Sequence, residues 1–321
     1  MFDLTSLRLA AKTVHATLAP TPQLAWPLLA ERMGCSVWVK HENHTPTGAF
    51  KVRGGLIYVQ GLLAREPQTK GLITATRGNH GQSLALAAQR MGLAVSIVVP
   101  EGNSREKNAA MRALGATVIE CGKDFDEARA TAATMAQAQQ LHLVPAFHHD
   151  LIRGVATYAL ELLEAVNDLD TVYVPIGMGS GICGLIKTRD LLGLKTEIVG
   201  VVSSHADAFA QSVEQGRVVC TQSADTFADG LACRQPLPEA LAIIAQGAAR
   251  VIRVSDRQIA QAIGIYHETT HNTAEGAGAA ALAGLIKEQT EQQGRRVAVI
   301  LSGANIDRQL YAAILADGVQ A

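Results

Sequence analysis

The sequence predicts an α/β protein built on two parallel sheets, and three observations carry that reading. Short β-branched runs alternate with longer amphipathic stretches, and strands alternating with helices imply a parallel sheet. The alternation comes in two series that part near Pro145. A length of 321 residues with 48% hydrophobic content suffices for two domains and their cores.

The first series opens with a strand at Gly71-Leu72-Ile73-Thr74-Ala75-Thr76, continues as a helix-like run to Met91, and returns as a strand at Ala94–Val99. A helical stretch near Arg105 to Leu114, a strand at Thr117-Val118-Ile119 and an Ala/Gln-rich helix from Asp124 to Leu141 complete one compact unit. The second series has a helix from Ile152 to Val166, then strands at Thr171–Val174, Ile198–Val202 and Val297–Leu301. This second sheet is more interrupted. No repeat, low-complexity linker or charge block marks the boundary, so the division rests on periodicity.

Composition excludes several function classes. The net charge of -1, with Lys and Arg scattered along the chain, offers no basic patch for nucleic acid or anionic lipid. Small neutral metabolites are the natural partners. Met1 to Lys12 carries Asp3, Arg8 and Lys12 and no apolar core of signal-peptide length, and no later run approaches the roughly 20 apolar residues of a membrane span. A cytoplasmic protein with no membrane partner is expected. Cys35, Cys121, Cys183, Cys220 and Cys233 are odd in number and widely spaced, so they read as mostly buried thiols rather than disulfides or a zinc site.

Three glycine-rich turns each follow a strand or precede a helix: Arg77-Gly78-Asn79-His80-Gly81, Gly177-Met178-Gly179-Ser180-Gly181 and Ser302-Gly303-Ala304-Asn305. Ligands of open α/β sheets bind at the carboxyl ends of strands, so three such loops imply one shared cleft. Successive backbone N–H groups from Gly177 to Gly181 could surround a phosphate at a helix N-terminus. On spacing alone, a tight turn needing positive φ or close packing serves equally well. No Gly-Lys-Ser/Thr follows, and the spacing misses the dinucleotide fingerprint. Lys51 lies beside Phe50 at a loop-to-helix transition in Pro46–Gly55, where desolvation would free the nucleophilic amine. A solvated helix-start lysine fits the same local sequence.

In order and spacing these segments resemble the fold-type II pyridoxal 5'-phosphate (PLP) enzymes, specifically the threonine dehydratase and serine racemase family. The segments are Ala49-Phe50-Lys51-Val52-Arg53-Gly54, Thr76 to His80, and Gly177 to Gly181 after Val174-Pro175. The resemblance covers nearly the whole chain. It implies a tryptophan synthase β-like fold of two doubly wound parallel-sheet domains with the cofactor in the cleft between them. The expected division is residues 1–48 and 150–321 as a large PLP-binding domain and residues 49–149 as a small one.

The resemblance also implies roles. Lys51 would carry the cofactor covalently, Phe50 would pack beside its ring, and Asn79 would bond the ring 3'-hydroxyl. Gly177, Met178, Gly179, Ser180 and Gly181 would hold the phosphate, with Ser180 able to donate an extra bond and Met178 packing instead. Gly230 of Ala228-Asp229-Gly230 would line the ring, Ser302 would face the pyridine nitrogen, and Glu275 would open a helix close to the cofactor. For Glu275, a carboxylate placed favourably at a helix N-terminus is an equal alternative. Thr76, Gly78 and His80 would bracket the substrate carboxylate.

The implied reaction is loss of the β-hydroxyl after Lys51 takes the Cα proton. A neutral Ser302 hydroxyl would disfavour a long-lived carbanion. The released enamine would hydrolyse to a 2-oxo acid and ammonia, so the expected activity is a dehydratase, or ammonia-lyase, acting on a β-hydroxy-α-amino acid. Alternatives are β-replacement of the cysteine synthase type, an amino acid racemase, and a non-catalytic binder.

This sequence departs from the family pattern at three places. Arg77 stands where family racemases carry an acid/base serine, which speaks against racemisation; it would hold an anionic substrate or form a structural salt bridge. Met178 and Ser180 interrupt the usual polyglycine, which together with Arg77 points to a less common substrate such as phenylserine or 3-hydroxyaspartate. After Gly200-Val201-Val202 the family's metal-binding Glu is missing; Asp207 alone would make a poor site, His205 reads as a surface residue, and no metal is expected. The chain is also expected to lack the C-terminal regulatory domain of biosynthetic members, implying amino acid catabolism, and a homodimer is the expected assembly.

Overall fold

The structure is a computed structural model that describes residues 1–317. The chain opens with α1 (Leu4–His15), β1 (Gln23–Ala25), α2 (Pro27–Met33), β2 (Ser36–His41) and α3 (Lys51–Arg65). A compact run follows: β3 (Gly71–Ala75), α4 (Asn79–Arg90), β4 (Ala94–Val99), α5 (Arg105–Ala113), β5 (Thr117–Glu120), α6 (Phe125–Gln139) and β6 (His142–Leu143). Then come α7 (His149–Ala165), β7 (Thr171–Pro175), α8 (Ser180–Leu191), β8 (Glu197–Ser203), α9 (Ala208–Gln215) and α10 (Pro238–Gly247). The last elements are β9 (Arg250–Val254), α11 (Asp256–Thr270), α12 (Gly276–Lys287), β10 (Arg296–Leu301) and α13 (Arg308–Asp317).

These strands build two sheets. One has six strands in the order β1-β2-β10-β7-β8-β9, the other four in the order β5-β4-β3-β6. The inner strands β7 and β8 are buried along nearly all their length and apolar at their centres because both faces are covered, as in parallel sheets generally. Ile182, Leu185 and Ile152 from α8 and α7 pack on one face of the larger sheet, and Ala279, Leu282 and Ile263 from α12 and α11 on the other. In the smaller sheet, α3 and α4 cover one face, and Ala128, Ala132 and Ala136 of α6 cover Ile73 and Val98 on the other.

The six strands expected from periodicity all form, apart from end residues, whereas β2 was not anticipated. The larger sheet departs from the parallel expectation at one edge, where β1 pairs antiparallel with β2. β1 and β6 are three and two residues long, too short to show a period. β9 is an edge strand with four part-exposed positions, two of them arginines, so its sequence lacks the apolar signature of a buried strand.

The helix α3 joins the two sheet systems. A Cβ on Gly154 would collide with the Arg53 carbonyl, and one on Gly54 would lie 2.9 Å from the Leu151 carbonyl. α3 and α7 therefore cross backbone to backbone, which explains Gly54, while Gly55 lets α3 approach Ser83 of α4. On its other side, Ser83 Oγ donates to the Lys51 carbonyl at 2.6 Å. A buried ion network fixes the crossing: Arg53 bonds Glu42 (Nε–Oε2 2.7 Å) and Glu161 (Nη1–Oε1 2.5 Å), and Lys40 Nζ bonds Glu161 at 2.5 Å. Arg53, Glu42 and Lys40 are fully buried.

Among the described residues, no helix is long and apolar enough to cross a membrane. Cys35, Cys183 and Cys233 are buried and Cys121 is half-buried, as expected, while Cys220 is exposed. Burial pushes the Cys183 thiol up to about 12.

Candidate active site

Strand order alone brings the predicted loops together. β2, β10 and β7 are neighbours in the larger sheet, so the segments leaving their carboxyl ends, 42–50, 302–306 and 176–179, lie side by side. Phe50 N donates to the Ser302 carbonyl at 3.1 Å, Ala304 N to the Gly48 carbonyl at 2.9 Å, and Ala49 bridges Gly303. These bonds seat the residue before Lys51 directly on the end of β10. The Thr45 hydroxyl accepts from Ala49 N at 2.9 Å and tightens the loop.

Lys51 begins α3, half-buried, with its Nζ 5.1 Å from the centroid of the Phe50 ring. Burial holds its amine below the ordinary lysine range, against the opposing pull of Glu275. Phe50 meets Tyr158 edge to face at 6.2 Å, and the Tyr158 hydroxyl donates to the Gly181 carbonyl at 3.0 Å. The ring neighbour of Lys51 is thereby joined to the glycine loop.

That loop turns on Gly179, whose φ of +97° is left-handed, and α8 starts without any side-chain cap. The leading N–H groups of a helix have no partner within it, so they remain available to an anion. Gly177 is demanded by packing, since a Cβ there would collide with the Gly230 carbonyl. Gly181 is different: a Cβ there would find only Phe50 and Tyr158 at 3.7 Å, ordinary contact. The surrounding fold therefore tolerates a small side chain at Gly181. Ser180 is buried at the first turn of α8, and Met178 packs half-buried on the apolar core.

Opposite this loop, Asn79 Nδ2 donates to Glu275 Oε1 at 2.7 Å, and Asn79 Oδ1 accepts from Asn305 at 2.8 Å. An amide has two donors and two acceptor lone pairs, so Asn79 keeps one of each for a ligand. Glu275 is buried, and its Oε2 has no partner. Burial lifts its carboxyl to about 7, Asp229 adding to the lift while Lys107, Asn79 and Lys51 oppose it. Glu275 is the N-cap residue of α12, and its side chain makes no capping hydrogen bond. Ser302 is buried at the end of β10, and Gly230 packs against Ala277.

The Thr76–His80 segment leaves β3 with Thr76 Oγ1 accepting from Gly78 N at 3.1 Å. His80 is buried, its Nε2 is unpartnered, and burial with the nearby Lys51 charge drops it to about 3, so it is a neutral ring. The salt-bridge alternative for Arg77 fails: its side chain is exposed and joins no ion pair among the described residues, and only its carbonyl is held, by Asn103 at 3.2 Å. Asp207 is bound to Arg253 at 2.7 Å and His205 is exposed.

Sequence reasoning missed Lys107 and the buried set Lys40, Glu42 and Glu161, and it met Asp229 only within the Ala228-Asp229-Gly230 segment. Arg53 was visible only as part of a motif. Their contacts span up to 122 residues of chain, and no local pattern encodes them.

The residues present fit PLP. A desolvated amine of lowered proton affinity, an uncapped helix start behind a glycine loop, a glycine the fold leaves free and an amide with spare bonding capacity match its aldehyde, phosphate and ring hydroxyl. A family model described as pyridoxal-phosphate dependent enzyme matches residues 14–303. The biosynthetic L-threonine dehydratase of Pasteurella multocida is 33% identical over 92% of this chain and 58% of its own length. The chain thus spans little more than half of that relative. The L-threo-3-hydroxyaspartate ammonia-lyase of Saccharomyces cerevisiae is 30% identical over 95% of this chain and 94% of its own. The structure of processed threonine deaminase isoform 2 from Solanum lycopersicum superposes with a TM-score of 0.89 at 29% identity, covering 100% of this chain and 95% of that one. The chain belongs to the fold-type II pyridoxal-phosphate dependent enzymes, among those of the threonine dehydratase and serine racemase kind.

Proposed function

We propose that this chain is a PLP-dependent dehydratase that converts a β-hydroxy-α-amino acid to a 2-oxo acid and ammonia. The observation that carries the reading is the Lys51 amine, desolvated and without a carboxylate in hydrogen-bond contact, beside a glycine loop that opens a helix. Bound PLP supplies an electron sink for the Cα–H bond of an amino acid.

In this proposal Lys51 would carry the cofactor and then serve as the base that takes the Cα proton, burial lowering the proton affinity of its amine. Backbone N–H groups from Gly177 to Gly181 bind the phosphate, with Ser180 at their centre and Met178 packing behind. Phe50 and Gly230 flank the ring, Asn79 bonds its hydroxyl, and Glu275 orients Asn79. Ser302 presents a neutral hydroxyl to the ring nitrogen, which favours prompt loss of the β-hydroxyl. Thr76, Gly78 and the neutral His80 hold the substrate carboxylate, and exposed Arg77 lies at the rim of that segment.

The domain division belongs to the same proposal, with residues 49–149 as the small domain and residues 1–48 and 150–321 as the large one. The four-stranded sheet lies wholly within 71–143 and the six-stranded sheet outside it. Of the large domain, 318–321 fall outside the described residues. A homodimer is also proposed, on Leu24 of the edge strand β1 and Leu28 of the adjoining α2, both left exposed.

The test is 2-oxo acid release from threonine, serine, phenylserine and 3-hydroxyaspartate by the PLP-loaded protein. Release from at least one, abolished in Lys51→Ala, is expected. No release from any of the four would overturn the reading.

A further inference from the structure

Lys107 lies outside the residues that carry the proposed chemistry, yet it is nearly buried between the two sheets. It sits in the first turn of α5, where Ser104 caps the helix by accepting from Lys107 N at 3.1 Å. Its stem runs across Gly78: a Cβ on Gly78 would lie 2.7 Å from Lys107 Cδ. Its Nζ reaches Asp229 Oδ2 at 2.5 Å, on the short 3-10 turn Asp229–Leu231 of the larger sheet system. Gly230 of that turn is wedged between Gly177 and Ala277.

Other bonds from the same turn run the same way. Asn103 Nδ2 holds the Arg77 carbonyl at 3.2 Å, Ser104 Oγ bonds Asp307, and Arg308 N donates to Glu106 at 3.1 Å. Residues 103–107 therefore grip the Arg77–Gly78 backbone from the small-sheet side and fasten it to the other wall of the cleft. Asp229, Glu275 and Asp307 all face the Lys107 ammonium; burial alone would lower its proton affinity, and the three carboxylates outweigh burial and keep it charged.

We infer that Lys107 is a positioning residue for the amino-acid substrate: its stem backs Gly78, and its ion pair with Asp229 sets the spacing between the Thr76–His80 segment and the cofactor wall. The inference rests on the reading above, in which Thr76–His80 holds the substrate carboxylate. It gives Gly78 a reason: any side chain there would displace Lys107. It also makes the pair Lys107–Asp229 act as one unit, since an ion pair closed across a cleft loses its effect when either partner is removed.

The experiment uses the PLP-loaded protein and the variants Lys107→Met, Lys107→Arg, Asp229→Asn and the Lys107→Met/Asp229→Asn double. Two quantities are read: the dissociation constant of L-alanine, from the change in cofactor absorbance on titration, and KM against kcat for the best hydroxy amino acid. Alanine has no β-leaving group, so its binding is measured whether or not the protein eliminates.

Lys107→Met and Asp229→Asn should each weaken alanine binding and raise KM by about tenfold, with a smaller effect on kcat, as expected when a bound group is mispositioned rather than removed. The double variant should be no worse than either single, and Lys107→Arg should recover most of the loss. Variants that bind alanine like the parent, or single effects that multiply in the double, would overturn the inference. Equal losses in alanine binding, cofactor retention and thermal stability, unrescued by arginine, would also overturn it in favour of a folding role. Failure of the parent to release a 2-oxo acid, with the alanine pattern intact, would strike the proposed reaction and leave Lys107 in place.

Discussion

Glu275 accepts a hydrogen bond from Asn79 at 2.7 Å through one oxygen and buries the other without a partner. A carboxyl so placed pays for ionisation, and its value of about 7 lies above the ordinary 4.5. Any stability linked to its proton is therefore complete below pH 4.5 and is lost as pH rises through 7. Glu275→Gln keeps the accepting oxygen and removes the titration. Urea unfolding of the cofactor-free protein at about pH 5 and about pH 8 should show the variant gaining on the parent at the higher pH. A pH-independent difference would contradict this account.

The acid side is governed by Glu161. Burial alone would raise its carboxyl, but Arg53 and Lys40 overcome that and hold it at about 2. Its contribution is present above the ordinary 4.5 and is lost as pH falls from there towards 2. The shift corresponds to on the order of 3 kcal/mol. Glu161→Gln should flatten the loss of stability between those limits, as followed by urea unfolding across the range.

Arg53→Met leaves Glu42 and Glu161 buried without their main partner. Removing one member of a buried ion network costs about 3–5 kcal/mol, so a large drop in thermal midpoint is expected. Because Arg53 lies two residues after Lys51, cofactor retention should fall with it. An unchanged midpoint would show that the network does not hold α3.

The fold was legible where the physics is local. β3, β4, β7 and β8 have parallel-sheet runs, and Arg105–Ala113 and Phe125–Gln139 announced themselves as helices within a residue or two. β2 was unread, and the edge strands β1, β6 and β9 were not legible, because short or solvent-facing strands need neither alternation nor an unbroken apolar run. At the candidate site, Lys51, Asn79, Glu275 and the Gly177 loop were singled out through motif order. Lys107 and Glu161 were hidden because nothing in their local sequence sets them apart, and their partners lie 122 and 108 residues away. Arg77 shows the reverse: a conspicuous residue in a motif, exposed and without an ion pair among the described residues.

The glycine loop offers a test between a phosphate cradle and a mere tight turn. Gly177→Ala should destabilise the fold outright, since its Cβ would strike the Gly230 carbonyl. Gly181→Ala meets only ordinary contacts at 3.7 Å, so the cofactor-free fold should be unaffected while PLP affinity falls by about tenfold. Equilibrium dialysis with PLP, alongside thermal melts, separates the two. Undiminished affinity in Gly181→Ala would favour the tight turn.

The central claim is that the Lys51 amine carries the cofactor. Borohydride reduction of the PLP-loaded protein, followed by digestion and mass measurement of the peptides, tests it most directly. The account predicts a single pyridoxyl-modified peptide with the label on Lys51, and no stable label in Lys51→Ala. Label on another lysine, or a parent protein that retains PLP without any reducible linkage, would contradict it.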